Sequence, residues 1–334
     1  MRDDDLLPCE ILLEIFVIDL SIVVPVLGTE AKLFNFLTAI KNSHDLRLSV
    51  EVIIVDDASP IPLNEMFERF ARENHQLNLT LITNEKNLGR AKSRNRGLFL
   101  AGGDIVLFLD VDNFPVPGSF VEIHSLFSDP EISAVRGNVR CDKSHLKNSA
   151  YIRFFDGRYL GARAIGTGDL SYRYFASDAL ALRRKDLLSM GGFDEEFKKY
   201  GCEDEELGRR YKALRKRFYF CSEAYFIDSD YPTLNRECQR MVSYARYSFP
   251  LLKSKHPGVE ADALMHLVES DKNKLARIFL LIACRKVLAD LIRRVLNMLD
   301  GFSLNPSKFF YHYVLASYYI VGYKARCIAD KNEL

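Results

Sequence analysis

Apolar runs and amphipathic runs alternate along the first third of the chain. Ser21–Val26 and Val50–Val55 are continuous, β-branched stretches of the kind that form strands buried on both faces. Leu79–Ile82 is a third, shorter one, and the run ending Val106-Leu107-Phe108-Leu109-Asp110 is the fourth. Between them the apolar spacing becomes helical. Leu33, Phe34, Leu37 and Ile40 share a face, as do Met66, Phe67 and Phe70, and a helix is predicted from Arg90 to Leu100. Strand and helix in alternation predict an α/β fold with a mostly parallel central sheet flanked by helices.

Phe114-Pro115-Val116-Pro117-Gly118 interrupts this pattern and marks a boundary between two halves. Beyond it the spacing predicts a helix over 120–127, a strand over 132–139, and a polar, Gly- and Arg-containing loop region over 141–169. A strand over 175–182 and a loop at Met190–Glu195 follow, then a helix opening at Cys202 and two short strands at 218–220 and 224–227. The remainder reads as helical. The expected organisation is a lead segment 1–19, two halves of one α/β domain at 20–115 and 116–232, and a C-terminal helical region 233–334.

Composition adds limits. The 334 residues are 48% hydrophobic with a net charge of +1, so no overall field favours nucleic acid. Residues 271–334 hold 11 Lys/Arg against 5 Asp/Glu, and this basic excess leaves the preceding 270 residues net negative. Seven scattered Cys fit free thiols in a reducing compartment. The acidic start, Met1-Arg2-Asp3-Asp4-Asp5, and the acids within the next apolar stretch fit neither a signal peptide nor a membrane span. The expected location is cytoplasmic, with a peripheral place at the inner membrane face as a variant of that reading.

The candidate chemistry lies at strand ends. Asp110 and Asp112 are two apart, and on an extended chain residues i and i+2 point the same way. Open α/β sheets place ligands at the carboxyl ends of strands, where two carboxylates suit Mg²⁺ or Mn²⁺ and a diphosphate. The alternative is a strand running into an acidic turn. Asp56-Asp57 ends the second strand and can accept hydrogen bonds from a nucleoside or serve only as a turn. Asn87, Gly89, Lys92, Arg94 and Asn95 surround a helix start, fitting either an anion site or a basic solvated face. Glu203-Asp204-Glu205-Glu206 fills a first helical turn. The dipole favours acids there, and one of them facing a cleft would serve as a general base.

Six segments, in order, resemble the family 2 inverting glycosyltransferases with the GT-A fold. They are Val24-Pro25, Val55–Ser59, Asn87–Gly97, Asp104–Asp112, Gly191–Glu195 and Gly201–Leu207. The resemblance covers about residues 20–232 and implies a GT-A domain with a C-terminal helical extension. It implies a nucleotide-sugar donor, most often UDP-linked, and a glycan, lipid-linked or other hydroxyl acceptor. It places Pro25, Asp56, Asp57, Arg94 and Asp110 at the nucleotide, Asp112 with Asp110 at Mn²⁺ or Mg²⁺, Asp204 as general base and Glu203 beside it.

The chain departs from this pattern twice. Many relatives have a metal-ligating His after the Glu-Asp helix, whereas this sequence has none between His145 and His256. Asp228-Ser229-Asp230-Tyr231-Pro232 takes its place, so Asp228 or Asp230 is the expected substitute. Where relatives often carry Asn before the Gly-Gly-Phe-Asp turn, Ser177-Asp178 stands instead. A nucleotidyltransferase would open with a Gly-rich basic loop, and Leu27-Gly28-Thr29-Glu30 is not one. The third reading is a catalytically inactive scaffold. In the C-terminal region Leu281, Cys284, Leu288, Leu291, Ile292, Val295 and Leu299 form an apolar stripe. Packing on the catalytic domain, a homodimer contact and a membrane surface are all open to it.

Overall fold

A computed structural model describes residues 18–157, 163, 165–257, 259, 282–302 and 304–332. Nearly all of the lead segment, and Leu281 of the apolar stripe, lie outside these residues. β1 (Leu20–Val26), β2 (Val50–Asp56), β3 (Asn78–Thr83) and β4 (Ile105–Leu109) are parallel in the order β3-β2-β1-β4. Helices α1 (Glu30–Ser43), α2 (Asn64–Glu73) and α3 (Arg90–Leu100) connect them. Thr29 caps α1 by accepting from the Lys32 amide, and Leu33, Phe36, Leu37 and Ile40 are its buried stripe.

Both faces of these strands are covered. Ile22, Val24, Leu107 and Leu109 enter one core, while Val23, Val106 and Phe108 enter the other. This is the period-two alternation of a strand buried on both sides. α3 lies close against β1: a Cβ at Gly97 would stand 2.3 Å from Val23 Cγ1, so only glycine permits this approach.

The second half supplies β5 (Asn113–Pro115), α4 (Ser119–Leu126), β6 (Ile132–Cys141), α5 (Lys143–Asn148) and α6 (Ala150–Asp156). It continues through β7 (Gly168–Asp169), β8 (Ala179–Arg183), α7 (Arg184–Ser189), α8 (Glu203–Ala213) and β9 (Arg217–Asp228). These strands extend the sheet as β4-β8-β6-β9-β5, with β7 also on β9. β8 runs antiparallel to both β4 and β6, and β9 parallel to β6.

Two local expectations are corrected. The region 141–169 holds helices α5 and α6: Asp142 and Ser149 cap them, and Tyr151, Phe154 and Phe155 are buried. Phe154 stacks on Tyr311, a partner 157 residues away that local polarity cannot reveal. The two short strands at 218–227 are one strand, β9, with a register irregularity between Arg136/Phe220 and Asn138/Tyr225 absorbing the break. At the boundary between the halves, Asn113–Pro115 pairs with Phe226–Asp228, so the same sheet spans it.

The C-terminal helices are α9 (Leu234–Ser243), α10 (Phe249–Lys255), α11 (Lys286–Gly301) and α12 (Lys308–Asn332). α9, α11 and α12 join α6 around Tyr151, Phe154, Leu234, Cys238, Leu296 and Tyr311. Asp300 fixes the arrangement by accepting from Ser149 Oγ at 2.8 Å and from the Tyr151 amide at 3.0 Å. The stripe read from sequence packs only in part, through the buried Cys284 and the half-buried Ile292. α11 buries Ala289 and Leu296, with Ile292 half-buried, and leaves Leu288, Leu291 and Val295 exposed. Among the described residues no helix is long and apolar enough to cross a membrane.

Candidate functional site

The carboxyl edge of β1, β2 and β4 opens onto two adjoining cavities of about 270 and 440 Å³. Pro25, Asp57, Asn87 and Gly89 line the larger. Ser177, Asp178, Asp204 and Asp228 line the smaller. Asp110, Asp112, Asp230, Arg90, Arg236 and Arg240 belong to both, so acidic and basic groups face each other across the junction.

Each sequence-derived candidate has a definite place. Asp56 is fully buried and its Oδ1 accepts from the Ser59 amide at 2.9 Å, closing the turn after β2. It lines neither cavity. Asp57 accepts from the Leu88 and Gly89 amides at 2.7 and 2.9 Å and from Asn84 Nδ2 at 2.7 Å. It thereby fixes the loop that enters α3. Arg94 is 1% exposed and donates to Asp110 Oδ1 at 2.9 Å. Its Nη1 lies 3.6 Å from Glu203 Oε1. Arg94 Nε and Nη1 and Glu203 Oε2 make no hydrogen bond within the described protein. Asn95 holds the Gly191–Glu195 loop through reciprocal 2.8 Å bonds with the Phe193 backbone. A Cβ at Gly192, where φ is +73°, would lie 2.4 Å from Asn95 Oδ1.

Asp110 and Asp112 follow β4 in a turn closed by the Asn113 amide on the Asp110 carbonyl. They sit beyond the extended strand and still reach the same cavities. Burial would raise the Asp110 carboxyl, but Arg94 and Arg90 outweigh it and hold it below the usual range. Asp112 goes the other way: burial and then the Asp110 charge push it up. Asp228 is pushed up to about 7 by burial and then by Asp112. Asp230 is held low against burial by Arg236 and Lys32. Arg236 Nη1 donates to both Asp230 oxygens at 3.1 Å, and Lys32 Nζ to Oδ2 at 3.2 Å.

Asp204 opens α8 and accepts from the buried Ser177 Oγ at 2.6 Å. Glu203, next to it, is buried, and burial followed by the Asp204 charge raises its carboxyl. Arg136 clamps the neighbouring Asp178 at 3.0 and 3.1 Å. His256 pairs with Glu206 at 3.3 Å and lines neither cavity, whereas Ser229 binds the Asp112 carbonyl through its amide and hydroxyl at 2.9 Å. The Asp228–Asp230 segment is therefore the one beside Asp112.

A divalent cation fits this chemistry. Asp112 and Asp228 are half-buried acids: burial raises both, the Asp110 charge adds to it at Asp112 and the Asp112 charge at Asp228, which marks an excess of negative charge at the site. Among the described residues no three His, Cys, Asp or Glu converge as a complete cage. Mg²⁺-type sites commonly use one or two carboxylates and take their other oxygens from water and phosphate.

Lys32, Arg90, Ser177, Tyr200, Arg236 and Arg240 were not among the sequence candidates. Arg236 and Arg240 are four apart on α9 and so share a face, a spacing visible in the sequence. Arg90 and Arg240 both stand over the Tyr200 ring, at 5.8 and 4.6 Å.

Comparison with known proteins agrees with this architecture. The model of glycosyl transferase family 2 matches residues 21–189, and the N-terminal domain of galactosyltransferase matches 165–227. Hyaluronan synthase of Pasteurella multocida is 26% identical over 226 residues, 58% of this chain and 22% of its own length. Chondroitin synthase of Escherichia coli is 28% identical over 247 residues, 61% of this chain and 33% of its own. An uncharacterized glycosyltransferase of Bacillus subtilis is 25% identical over 259 residues, 64% of this chain and 65% of its own. The chain thus spans from about a fifth to just under two thirds of the length of these curated relatives.

Among solved structures, a mannosyltransferase from Pyrobaculum calidifontis in complex with GDP-Man and Mn²⁺ superposes with a TM-score of 0.62 at 19% identity. The match covers 95% of this chain and 89% of that one. S. aureus TarS 1–349 in complex with UDP-GlcNAc gives 0.52 at 15% identity, covering 93% and 92%. With the family model matching half of its length, and with this sheet and these helices, the chain belongs to glycosyl transferase family 2 and has the GT-A fold.

Proposed function

We propose that this chain transfers a sugar from a nucleoside diphosphate, with UDP the first expectation, to a hydroxyl of a glycan or lipid-linked acceptor, inverting the anomeric carbon. The observation that carries this reading is Asp204. It is held by Ser177 in a cavity that also contains Asp110 and Asp112 and the cations that suit a diphosphate.

The larger cavity, bounded by Pro25, Asp57 and Asn87, takes the nucleoside. Arg90, Arg236 and Arg240 at the junction face the diphosphate. Asp112 would hold Mn²⁺ or Mg²⁺, with Asp228 as the second carboxylate because Asp230 already serves Arg236 and Lys32. When bound, the ion neutralises charge on the leaving diphosphate.

The acceptor enters from the smaller cavity. Its oxygen forms the new bond to the anomeric carbon as the bond to the diphosphate oxygen breaks. Asp204 takes the hydroxyl proton. One displacement inverts the centre and requires no covalent intermediate on the enzyme.

Nucleotide release from a panel of UDP- and GDP-sugars, with and without Mn²⁺, tests the activity, and NMR of the product tests its anomeric configuration. We expect release that depends on acceptor and is lost in Asp204→Asn. A retained anomeric configuration would overturn the mechanism. Pyrophosphate release from a nucleoside triphosphate would favour a nucleotidyltransferase, and no turnover with any donor would favour a scaffold.

A further inference from the structure

α11 is apolar on two sides, and the described protein covers one of them. Leu296 and the half-buried Ile292 face inward onto the cluster built by α6, α9 and α12, and Ala289 on the same side is fully buried. At about 100° per residue, Val287, Leu291, Val295 and Met298 fall together on the outer side. They are 84, 59, 42 and 58% exposed. The chain leaving the helix continues this face with Phe302 at 72%, and Phe309 at 66% follows at the start of α12. A helix that is hydrophobic all round is ordinarily covered all round.

The charge around this face identifies its cover. Arg294 falls beside Val287 and Met298 on the helix, and Arg285 before its first turn and Lys308 at the start of α12 are likewise exposed. The acids of this stretch, Asp290 and Asp300, turn inward: Asp290 lies 2.6 Å from Lys286 and also accepts from Tyr318, and Asp300 holds Ser149 and Tyr151. The exposed rim is therefore basic. A second copy docking through the same face would bring two basic rims together. An anionic surface meets both the apolar stripe and the rim, and among the described residues no helix is long and apolar enough to span.

We propose that α11 and the turn leading to α12 form an interfacial surface that lies in the headgroup region of an anionic bilayer, with Val287, Leu291, Val295, Met298 and Phe302 inserted and Arg285, Arg294 and Lys308 at the lipid phosphates. This goes beyond the proposed reaction and does not depend on it. It also has a geometric consequence for the site. α9 packs against the C-terminal helices through Leu234, Cys238 and Met241, while its Arg236, Glu237 and Arg240 line the smaller cavity. One helix thus links the lipid-facing layer to the cavity wall.

The test is flotation of the full chain with vesicles of phosphatidylcholine alone and of phosphatidylcholine mixed with phosphatidylglycerol, at low and high salt. We expect flotation with the mixed vesicles only, weakening as salt rises. Leu291→Glu with Met298→Glu changes two exposed positions and should reduce partitioning by about 10²- to 10⁴-fold, the loss of two buried apolar side chains. Arg294→Gln should reduce it about fivefold, the equivalent of about 1 kcal/mol per basic residue. Unchanged thermal unfolding will show that these variants fold. Failure of the wild type to float with mixed vesicles overturns the proposal, as does undiminished flotation of the double Glu variant. Equal binding to both vesicle types overturns the anionic requirement. A dimer that the Glu substitutions dissociate, without vesicle binding, assigns the face to a second copy.

Discussion

The Lys32 ammonium stands 3.2 Å from Oδ2 of Asp112, the carboxylate proposed to hold the metal. It lies equally far from Oδ2 of Asp230. Burial works against its charge, but Asp112 and Asp230 outweigh burial and raise the Lys32 pKa. A fixed cation thus already shares the acidic site proposed for the divalent ion.

Lys32 and the ion should compete. Removing the ammonium leaves Asp112 facing Asp110 and Asp228 with less compensation, so Lys32→Met should bind Mn²⁺ more tightly in the absence of nucleotide. The pair is partly exposed, so a tenfold gain, about 1.4 kcal/mol, is the expected scale. Titration calorimetry of the free protein measures it. Equal or weaker Mn²⁺ binding by the variant would mean that Lys32 supports the ion's site instead of contesting it.

Asp204 and Ser177 should separate chemistry from positioning. Asp204→Asn keeps the side-chain shape and removes the proton acceptor, so turnover should fall by about 10²- to 10⁴-fold with nucleotide affinity near normal. Ser177 is a positioning residue: its 2.6 Å bond aims Asp204. Ser177→Ala should lower kcat by about tenfold or somewhat more, the scale of a hydrogen bond to a charged group, and leave donor KM unchanged. Steady-state kinetics with donor and acceptor varied separately distinguishes the two. A rise in donor KM alone would move Ser177 to the binding step.

Arg94 holds together two segments far apart in sequence. Its guanidinium is buried between Asp110 after β4 and Glu203 at the start of α8. Arg94→Leu leaves both carboxylates without this partner. Removing one member of a buried ion pair costs about 3–5 kcal/mol, and the partial exposure of Asp110 favours the lower end. Adding Glu203→Gln should restore part of the loss, because it removes one uncompensated charge. Chemical denaturation of the single and double variants measures both effects, and full additivity would show that Arg94 and Glu203 do not interact.

What the sequence made legible follows from how local each determinant is. The alternation of Ile22, Val23 and Val24 between two cores and the stripe Leu33-Phe36-Leu37-Ile40 are written in adjacent residues, so β1 and α1 could be read directly. Asp110, Asp112 and Asp204 were legible because they end or begin regular elements. Lys32 was not: it lies 80 residues from Asp112 and 198 from Asp230, and only the folded sheet brings them together. The α5–α6 region was misread because aromatic burial there depends on Tyr311 in α12. The stripe on α11 was visible, but amphipathic spacing does not say which apolar side meets protein when a helix has two.

The last prediction concerns Asp186 and acid stability. Asp186, in α7, joins three segments: it accepts from Ser133 in β6 and from Lys216 Nζ at 2.9 and 3.0 Å, next to the start of β9. Burial would raise its carboxyl, but Ser133 and Lys216 outweigh burial and lower it in the folded protein. The unfolded carboxyl titrates near the ordinary value of about 3.9. The folded state is therefore the stronger acid, and stabilisation from this charge is full above that value. It is lost as pH falls through the lower folded value, where both states become protonated. Asp186→Asn keeps an acceptor for Ser133 and removes the charge opposite Lys216. The variant should consequently melt below the wild type at pH 7, with the difference shrinking as pH is lowered to about 3. Thermal unfolding followed by circular dichroism across that range measures the difference directly. A gap of the same size at both ends would assign the effect to neutral hydrogen-bond geometry, and no gap at pH 7 would remove Asp186 from the stability of this junction.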